Sequence, residues 1–584
     1  MTPRPLARVA LRMLVVASAI ACSAIHSAQA AALPGKYFEM LRGEAERGDE
    51  RPGEQPAAGA RGDRQVGRLA SLALGAAVLY AKEHADNPSH GDKEMLARAL
   101  RAGDQLHEAS VDGRFSRLNW QWDVALWLDA YRLLEKDLGD ERRAKWKGEL
   151  ERLVRIMARE VAPRVDAPRY QSPYLITSPN HFSIWSSTVH LAGKVFGNKE
   201  WEELGARVMH RYCATEQAPD GYWGEHNMSG PTTGYNFLTT QSVALYYEHS
   251  GDPVAKEALR RVTTFHANYT WPNGHPVEVI NDRNRSNGVR AWAHFGFSNF
   301  PDGRRYAEYL VERMGRGDGG GRVAQNALYW HDGDSEPIGL DKDQHVHRMS
   351  VPAGMRKSGP WTYCLSGLIS TLSMNRYYMA RQGHVGIYHE KTGQIVTGAN
   401  SKRQPELATF MVAAEGETRS TPLDSKLEMS DGTDPDALTL AYDTFYAVLR
   451  VPRPEGGKLR LRADLAHTAA RQSARMTLQL ILHPGEELET AAGGKYVLGE
   501  EKLELGPEQL GGWIKHHGWK IELPDTARLD WPVYPYNPYA DARETSLSRA
   551  VGALWAPVQL RSGGGGPRNV GQRIEFVFDV PAGE

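Results

Sequence analysis

"GRGDGGGR", residues 315–322, divides the chain into two parts that follow different periodicities. A run this rich in glycine interrupts any regular element. On its N-terminal side, apolar residues recur at three- and four-residue spacing in segment after segment. These are "RLASLALGAAVLYAKEH" (68–84), "WQWDVALWLDAYRLLEKDL" (120–138), "RRAKWKGELERLVRIMAREV" (142–161) and "HFSIWSSTVHLAGKVFG" (181–197). The same spacing continues in "EWEELGARVMHRYCATE" (200–216), "FLTTQSVALYYEHSG" (237–251), "DPVAKEALRRVTTFHANY" (252–269) and "GRRYAEYLVERM" (303–314). The spacing predicts amphipathic helices. Breakers such as "LGD", "GNK" and "SGDP" separate them, as between successive antiparallel helix pairs. No sequence repeat accompanies the pattern, so a closed helical array is expected over a regular solenoid. On the C-terminal side, "MTLQLILHPG" (476–485), "KYVLGEEKLELG" (495–506) and "QRIEFVFDVP" (572–581) alternate as strands do, with Gly and Pro at short intervals. The expected class is multidomain, α then β, ending in an antiparallel β-sandwich.

The 584 residues exceed what one hydrophobic core usually serves. The expected division is a signal peptide over 1–30, an N-terminal arm or linker over 31–66, a helical domain over 67–315, a Gly-rich linker over 316–340 and a β-sandwich over 341–584. Arg4, Arg8 and Arg12 lead into "MLVVASAIACSAI", and "AQA" at 28–30 offers the small residues of a cleavage site. The apolar run is short for a membrane span. A periplasmic or secreted protein is the expectation, with no membrane span. Cleavage would lower the basic count from 70 to 67 against 71 acidic residues, which argues against a nucleic-acid partner. An anionic substrate needs only local positive charge. After cleavage Cys213 and Cys364 remain, too few for a disulfide framework, with pairing between them left open.

Four clusters can carry chemistry. "RLNWQWDVALW" (117–127) places Asn119, Trp120 and Trp122 at a helix start, either as core aromatics or as a platform for sugar rings. "SPNHFSIW" (178–185) places Asn180 and His181 after Pro179; helix capping accounts for Asn180, and carboxylate binding at a helix start is the alternative. "DGYWGEHNMSGPTTGYN" (220–236) gathers Glu225, His226 and Tyr235 in what reads as a Gly-rich loop. "NDRNRSNGVRAW" (281–292) supplies Arg283, Arg285 and Arg290. The "HVH" at 345–347 is the one metal-like pattern, and no carboxylate or thiolate set accompanies it at liganding spacing. No cofactor and no catalytic metal are expected, and a structural metal in the β-domain is left open.

These residue types suit β-elimination on a uronic-acid polysaccharide. The C5 proton of a uronate becomes removable only when donors neutralise the adjacent carboxylate and stabilise the enolate-like charge. Asn180, His181, Arg283 and Arg285 are such donors. A base must take the proton and an acid must protonate the leaving oxygen. Tyr235 can do both if neighbouring positive charge lowers its pKa from about 10; His226 is the other candidate base. Asn119, Trp120, Trp122 and Glu225 are the expected substrate-binding residues.

With "NW" at a helix start, "NH" at 180–181, "DGYWGEH" at 220–226 and Gly234 before Tyr235, the chain resembles the α/α-toroid polysaccharide lyases. That group includes the chondroitin AC/hyaluronate lyases, the alginate lyases and the heparinase II/III-like enzymes. The nine-residue His226-to-Tyr235 spacing is similar to the chondroitin AC type, and the Asn-His pair to the alginate and heparinase III-like branch. The resemblance implies an N-terminal (α/α) toroid followed by a β-sandwich, cleavage leaving a C4–C5 unsaturated uronate, and an anionic uronic-acid polysaccharide as partner. The heparinase-type metal set is not evident around His384. Two alternatives remain: a glycoside hydrolase on the same toroid, which needs a carboxylate pair, and a non-catalytic glycan-binding protein, which needs the tryptophans and not Tyr235.

Overall fold

The computed structural model describes residues 29–49, 60–111, 121–225, 230–283, 288–315, 321–369, 375–378, 380, 382–399, 401–414, 417–443, 445–467, 473–558 and 572–581. Its helices come first: α1 (Lys36–Asp49), α2 (Ala60–Ala81), α3 (Lys93–Val111), α4 (Gln121–Leu134), α5 (Gly139–Val161), α6 (Pro179–Phe196), α7 (Lys199–Thr215), α8 (Thr233–Ser250), α9 (Pro253–Asn268), α10 (His294–Phe297), α11 (Pro301–Arg313) and α12 (Gly321–Tyr329). Contacts run from α2 to α4, α6, α8, α10 and α12, and from α12 back to α2. That path closes a ring. The intervening helices α3, α5, α7, α9 and α11 each pack outside it, so the chain alternates inner and outer helices and forms the toroid.

Inner and outer helices differ in kind. Outer α5 buries Trp146, Leu150, Leu153, Val154 and Met157 on one side, as a surface helix should. Inner α6 and α8 are buried on nearly every side, and their many Ser and Thr residues would be a liability there. They are satisfied locally: Ser186 Oγ donates to the Phe182 carbonyl at 2.8 Å, and Thr240 Oγ1 to that of Asn236 at 2.7 Å. Small residues also let helices approach. A Cβ on Gly205 of α7 would lie 2.5 Å from the Ser186 carbonyl oxygen of α6, so this pair of helices requires glycine at that position.

Two expected boundaries move. The stretch 31–66 is not a free arm, because α1 buries Tyr37, Phe38 and Leu41 in the helical core and α2 begins at Ala60. The expected linker 316–340 carries α12, whose Val323, Ala324 and Ala327 are buried in the same core. In both places a short amphipathic helix beside glycine-rich sequence reads as a break. Helix α3 was likewise absent from the sequence reading. Residues 1–28 lie outside the described residues, and no described helix is long and apolar enough to cross a membrane.

The C-terminal region is antiparallel throughout. One sheet has nine strands, running from Asp424–Glu428 at one edge to Lys495–Val497 at the other; the second has eleven, with Gln344–Arg348 and Leu503–Leu505 at the ends of its main path. Leu438, Leu449, Leu461, Leu478, Trp519 and Phe576 fill the space between them. A third core joins helices to sandwich: Tyr269, Trp271, Val277 and Val279 pack with Met355, Cys364, Leu368 and Tyr388. Within it the Glu278 carboxylate accepts from Trp271 Nε1 at 2.6 Å, Gln394 Nε2 at 2.6 Å and Thr397 Oγ1 at 2.9 Å. Cys213 and Cys364 are both buried, one in the helical core and one in the core that joins helices to sandwich, so they do not pair with each other.

Candidate active site

In a ring of alternating inner and outer helices, all inner helices run the same way, and their N-termini open on one face. Trp122 lies in the first turn of α4, Asn180 and His181 in that of α6, and Tyr235 in that of α8. Tyr235 is therefore a helix residue, not a loop residue. Asn180 is not the helix cap; Ser178 occupies that position and Pro179 starts the helix. The segment before α8 is held by a bridge between Gly224 and Pro231 and by Trp223 N–H donating to Asn236 Oδ1 at 2.9 Å. Gly221, with φ of +93°, lets this segment pass Arg261: a Cβ there would meet the Arg261 carbonyl oxygen at 2.3 Å.

The centre of the cluster is Glu225, which is 2% exposed. It accepts hydrogen bonds from Asn180 and pairs with Arg283 Nη1 at 3.2 Å. Burial outweighs both and raises its carboxyl to about 7. Arg283 in turn lies over the Tyr235 ring, its guanidinium carbon 3.8 Å from the centroid, and 5.3 Å from that of Tyr377 in the sandwich region. The Tyr235 hydroxyl hydrogen-bonds the Tyr539 hydroxyl, also from the sandwich region. The site thus draws on both halves of the chain.

The lowering of the Tyr235 pKa that a double role as base and acid requires does not occur. Burial pushes it up, Arg283 pulls it down by less, and Tyr539 and Glu225 add to the rise. The phenol keeps its proton at neutral pH, which suits a proton donor. His181 behaves oppositely: burial and then the Arg283 charge lower it to about 4, so its imidazole is neutral and can accept a proton. Its ring meets Trp122 edge-on at 5.7 Å, and Trp122 meets Trp292 edge-on at 5.6 Å. Arg322 stacks on Trp292 at 4.2 Å, and the Arg290 guanidinium feels both Tyr235 and Tyr539. Partly exposed aromatic rings, backed by the buried Arg283 and Arg322, so form one band from Trp292 through His181 and Tyr235 to Tyr539.

Of the residues expected at the site, Trp122, Asn180, His181, Glu225, Tyr235 and Arg283 are brought together. Asn119, Trp120, His226 and Arg285 lie outside the described residues. The sequence reading missed Trp292, Arg322, Tyr377, Tyr539 and Tyr378, the last lying within electrostatic reach of Glu225, Arg283 and Tyr235. The first two could have been found as aromatic and basic residues flanking an inner-helix start; the tyrosines carry no local signal. The "HVH" histidines are engaged elsewhere: His345 Nε2 meets Asn268 Oδ1 at 2.6 Å, and His347 packs edge-on against Tyr269. His384 is fully buried in the sandwich region, its Nδ1 2.9 Å from the Ser366 carbonyl.

No family model matches the chain, and no curated protein does. Solved structures do. A heparinase III aligns over 94% of this chain and 84% of its own, at 10% identity and a TM-score of 0.51. A heparan sulfate lyase from Pedobacter heparinus covers 93% of this chain and 87% of its own, at 9% identity and a TM-score of 0.49. A chondroitin AC lyase from Streptomyces coelicolor A3 covers 94% and 80%, at 12% identity and a TM-score of 0.49. The chain has the toroid-plus-sandwich fold of polysaccharide lyases. At these identities the likeness is one of fold.

Proposed function

We propose that this protein is a polysaccharide lyase that cleaves a uronic-acid-containing polysaccharide by β-elimination. The observation that carries the reading is the Arg283–Tyr235 stack, seated on Glu225 and Asn180 and open towards Tyr539. The uronate carboxylate is held by Arg283 and Arg290, whose charges and N–H groups stabilise the enolate-like intermediate. Asn180 has two amide N–H groups, and the one not given to Glu225 extends this set. The protonated Tyr235 phenol then delivers its proton to the leaving glycosidic oxygen. A neutral imidazole takes the C5 proton; His181 is the described candidate and His226 the other. Trp122 and Trp292 give apolar faces to adjoining sugar rings.

A hydrolase needs two carboxyl groups flanking the scissile bond. Glu225 is instead sealed under Arg283, Asp282 is 1% exposed, and Asp123 faces Gly67 and Arg322. The carboxylate chemistry of hydrolysis has no presented pair among these acids. The substrate class extends to glycosaminoglycans and alginate, since each offers a uronate carboxylate beside a C5 proton. The arginine-led apolar N-terminus supports export to the periplasm or beyond.

The test is a panel of uronate polymers followed by ultraviolet absorbance. Elimination conjugates a C4–C5 double bond to the carboxylate and absorbance rises. Reducing ends without new absorbance would mean hydrolysis, and binding without either would mean a glycan-binding protein.

A further inference from the structure

Away from the residues discussed above, His483, Glu486 and His517 each offer one ligand atom, and these atoms lie within 4.8 Å of one another. They belong to different parts of the sandwich. His483 follows strand Ser473–Leu480 of the eleven-stranded sheet, and Glu486 precedes strand Glu487–Thr490 of the nine-stranded sheet. His517 sits in the turn between Trp513–His516 and Trp519–Glu522, also of the nine-stranded sheet.

The frame holding them is built. His516 is buried; its Nδ1 donates to the Glu487 carbonyl at 3.0 Å, and its Nε2 accepts the His483 backbone N–H at 2.9 Å. The two segments are therefore tied together through one imidazole of settled tautomer. His517 has φ of +44°, a left-handed backbone rare outside glycine and asparagine. In that conformation its ring stacks on His483, with centroids 3.9 Å apart, and its Nδ1 meets the Glu486 carboxylate at 2.8 Å. An ion pair between His517 and Glu486 explains two of the three groups. It does not explain the second imidazole, which stacks on the first.

We propose that His483, Glu486 and His517 bind one divalent cation of the zinc type, with water completing the shell, and that this cation joins the two sheets. Two imidazoles and one carboxylate are a zinc-type donor set, whereas calcium and magnesium favour all-oxygen shells. Bonds of about 2.0–2.2 Å place tetrahedral ligand atoms roughly 3.4 Å apart. The partly exposed His517 and Glu486 side chains can rotate to close the remaining distance.

The test uses the full chain stripped with EDTA, dialysed against Zn²⁺ and assayed for retained metal, with thermal melting in parallel. His517→Asn keeps a residue that tolerates the left-handed backbone and removes the imidazole; Glu486→Gln removes the carboxylate charge. Both residues are solvent-facing, and a metal-free melting temperature matching the parent's confirms that each variant folds. The expected result is one retained equivalent and a raised melting temperature for the parent, both lost in each variant, with Ca²⁺ failing to substitute. No retained equivalent in the parent, retention by either variant, or equal binding of Ca²⁺ would overturn the proposal.

Discussion

On the helical side of the site, Asn180, Glu225 and Arg283 are each less than 10% exposed and are braced against one another, whereas on the sandwich side Tyr539 is 54% exposed. The helical groups sit at or against the first turns of inner helices that the ring locks in place. The sandwich groups stand on loops that reach across from the other half. Chemistry that must meet a developing charge at fixed distance belongs on the first kind of support. Fitting a polymer tolerates the second. Under the proposed elimination, the contrast would assign proton transfer and charge stabilisation to the helical side, and substrate fit to the sandwich side.

The strongest way to break this contrast is Tyr235→Phe. The ring keeps its place under Arg283 while the proton carrier is lost, and kcat should fall by about 10²–10⁴-fold. Binding of the polymer, measured separately, should persist. Near-full activity in this variant would move the acid elsewhere.

Arg283→Ala removes the cation that faces both Glu225 and the Tyr235 ring, and should cost about 10²–10³-fold in kcat, as loss of a charge-stabilising donor does. A stranded buried charge usually costs about 3–5 kcal/mol of stability. Here the loss should be smaller, because the Glu225 carboxyl already lies at about 7 and takes up a proton once Arg283 is gone. A melting curve with a severe loss and intact kcat would reverse the assignment. Arg283→Lys keeps the charge but not the planar stack, and should recover only part of the activity.

A subtler effect should appear with pH. Glu225 is raised from 4.5 to about 7 in the folded state. A carboxyl whose folded value lies above its unfolded value adds stability that is fully present below 4.5 and is lost as pH rises to about 7. Over the same rise its negative charge comes to offset Arg283, so KM for the anionic polymer should increase as pH passes about 7. In Glu225→Gln both trends should flatten. A KM inflection that survives this substitution would have to come from another group.

The smallest effect expected is that of Tyr539→Phe. One exposed hydrogen bond contributes about 0.5–1.5 kcal/mol, so kcat/KM should change by roughly tenfold or less. Because Tyr539 holds the Tyr235 value up, the alkaline limb of the pH–rate profile should shift to lower pH. A loss comparable to that of Tyr235→Phe would place chemistry on the sandwich side.

Much of the fold is legible along the chain because its signals are local. The three- and four-residue spacing of "RRAKWKGELERLVRIMAREV" reports one buried face of one helix, and the alternation of "QRIEFVFDVP" one buried face of one strand. Neither needs a partner to be identified. Inner α8 carries a weaker signal because both of its sides are buried, yet its apolar length still marks it. The short helices α1 and α12 were lost where glycine-rich neighbours masked them.

The candidate site divides in the same way. Asn180, His181, Glu225, Tyr235 and Arg283 stand out in sequence because each sits beside a helix start or in a compact polar cluster. Their order in space, Asn180 to Glu225 to Arg283 to Tyr235, spans about a hundred residues and arises only when the inner helices close into a ring. Tyr539 lies 304 residues from Tyr235 and has no pattern of its own to mark it. Charge states were also beyond the sequence. A double role for Tyr235 requires neighbouring positive charge to lower it, and Arg283 does pull in that direction, but burial pulls harder. Residue type and spacing determine which groups are available for chemistry. Burial and distance, which set the desolvation and Coulomb energies that fix their protonation, exist only once the chain is folded.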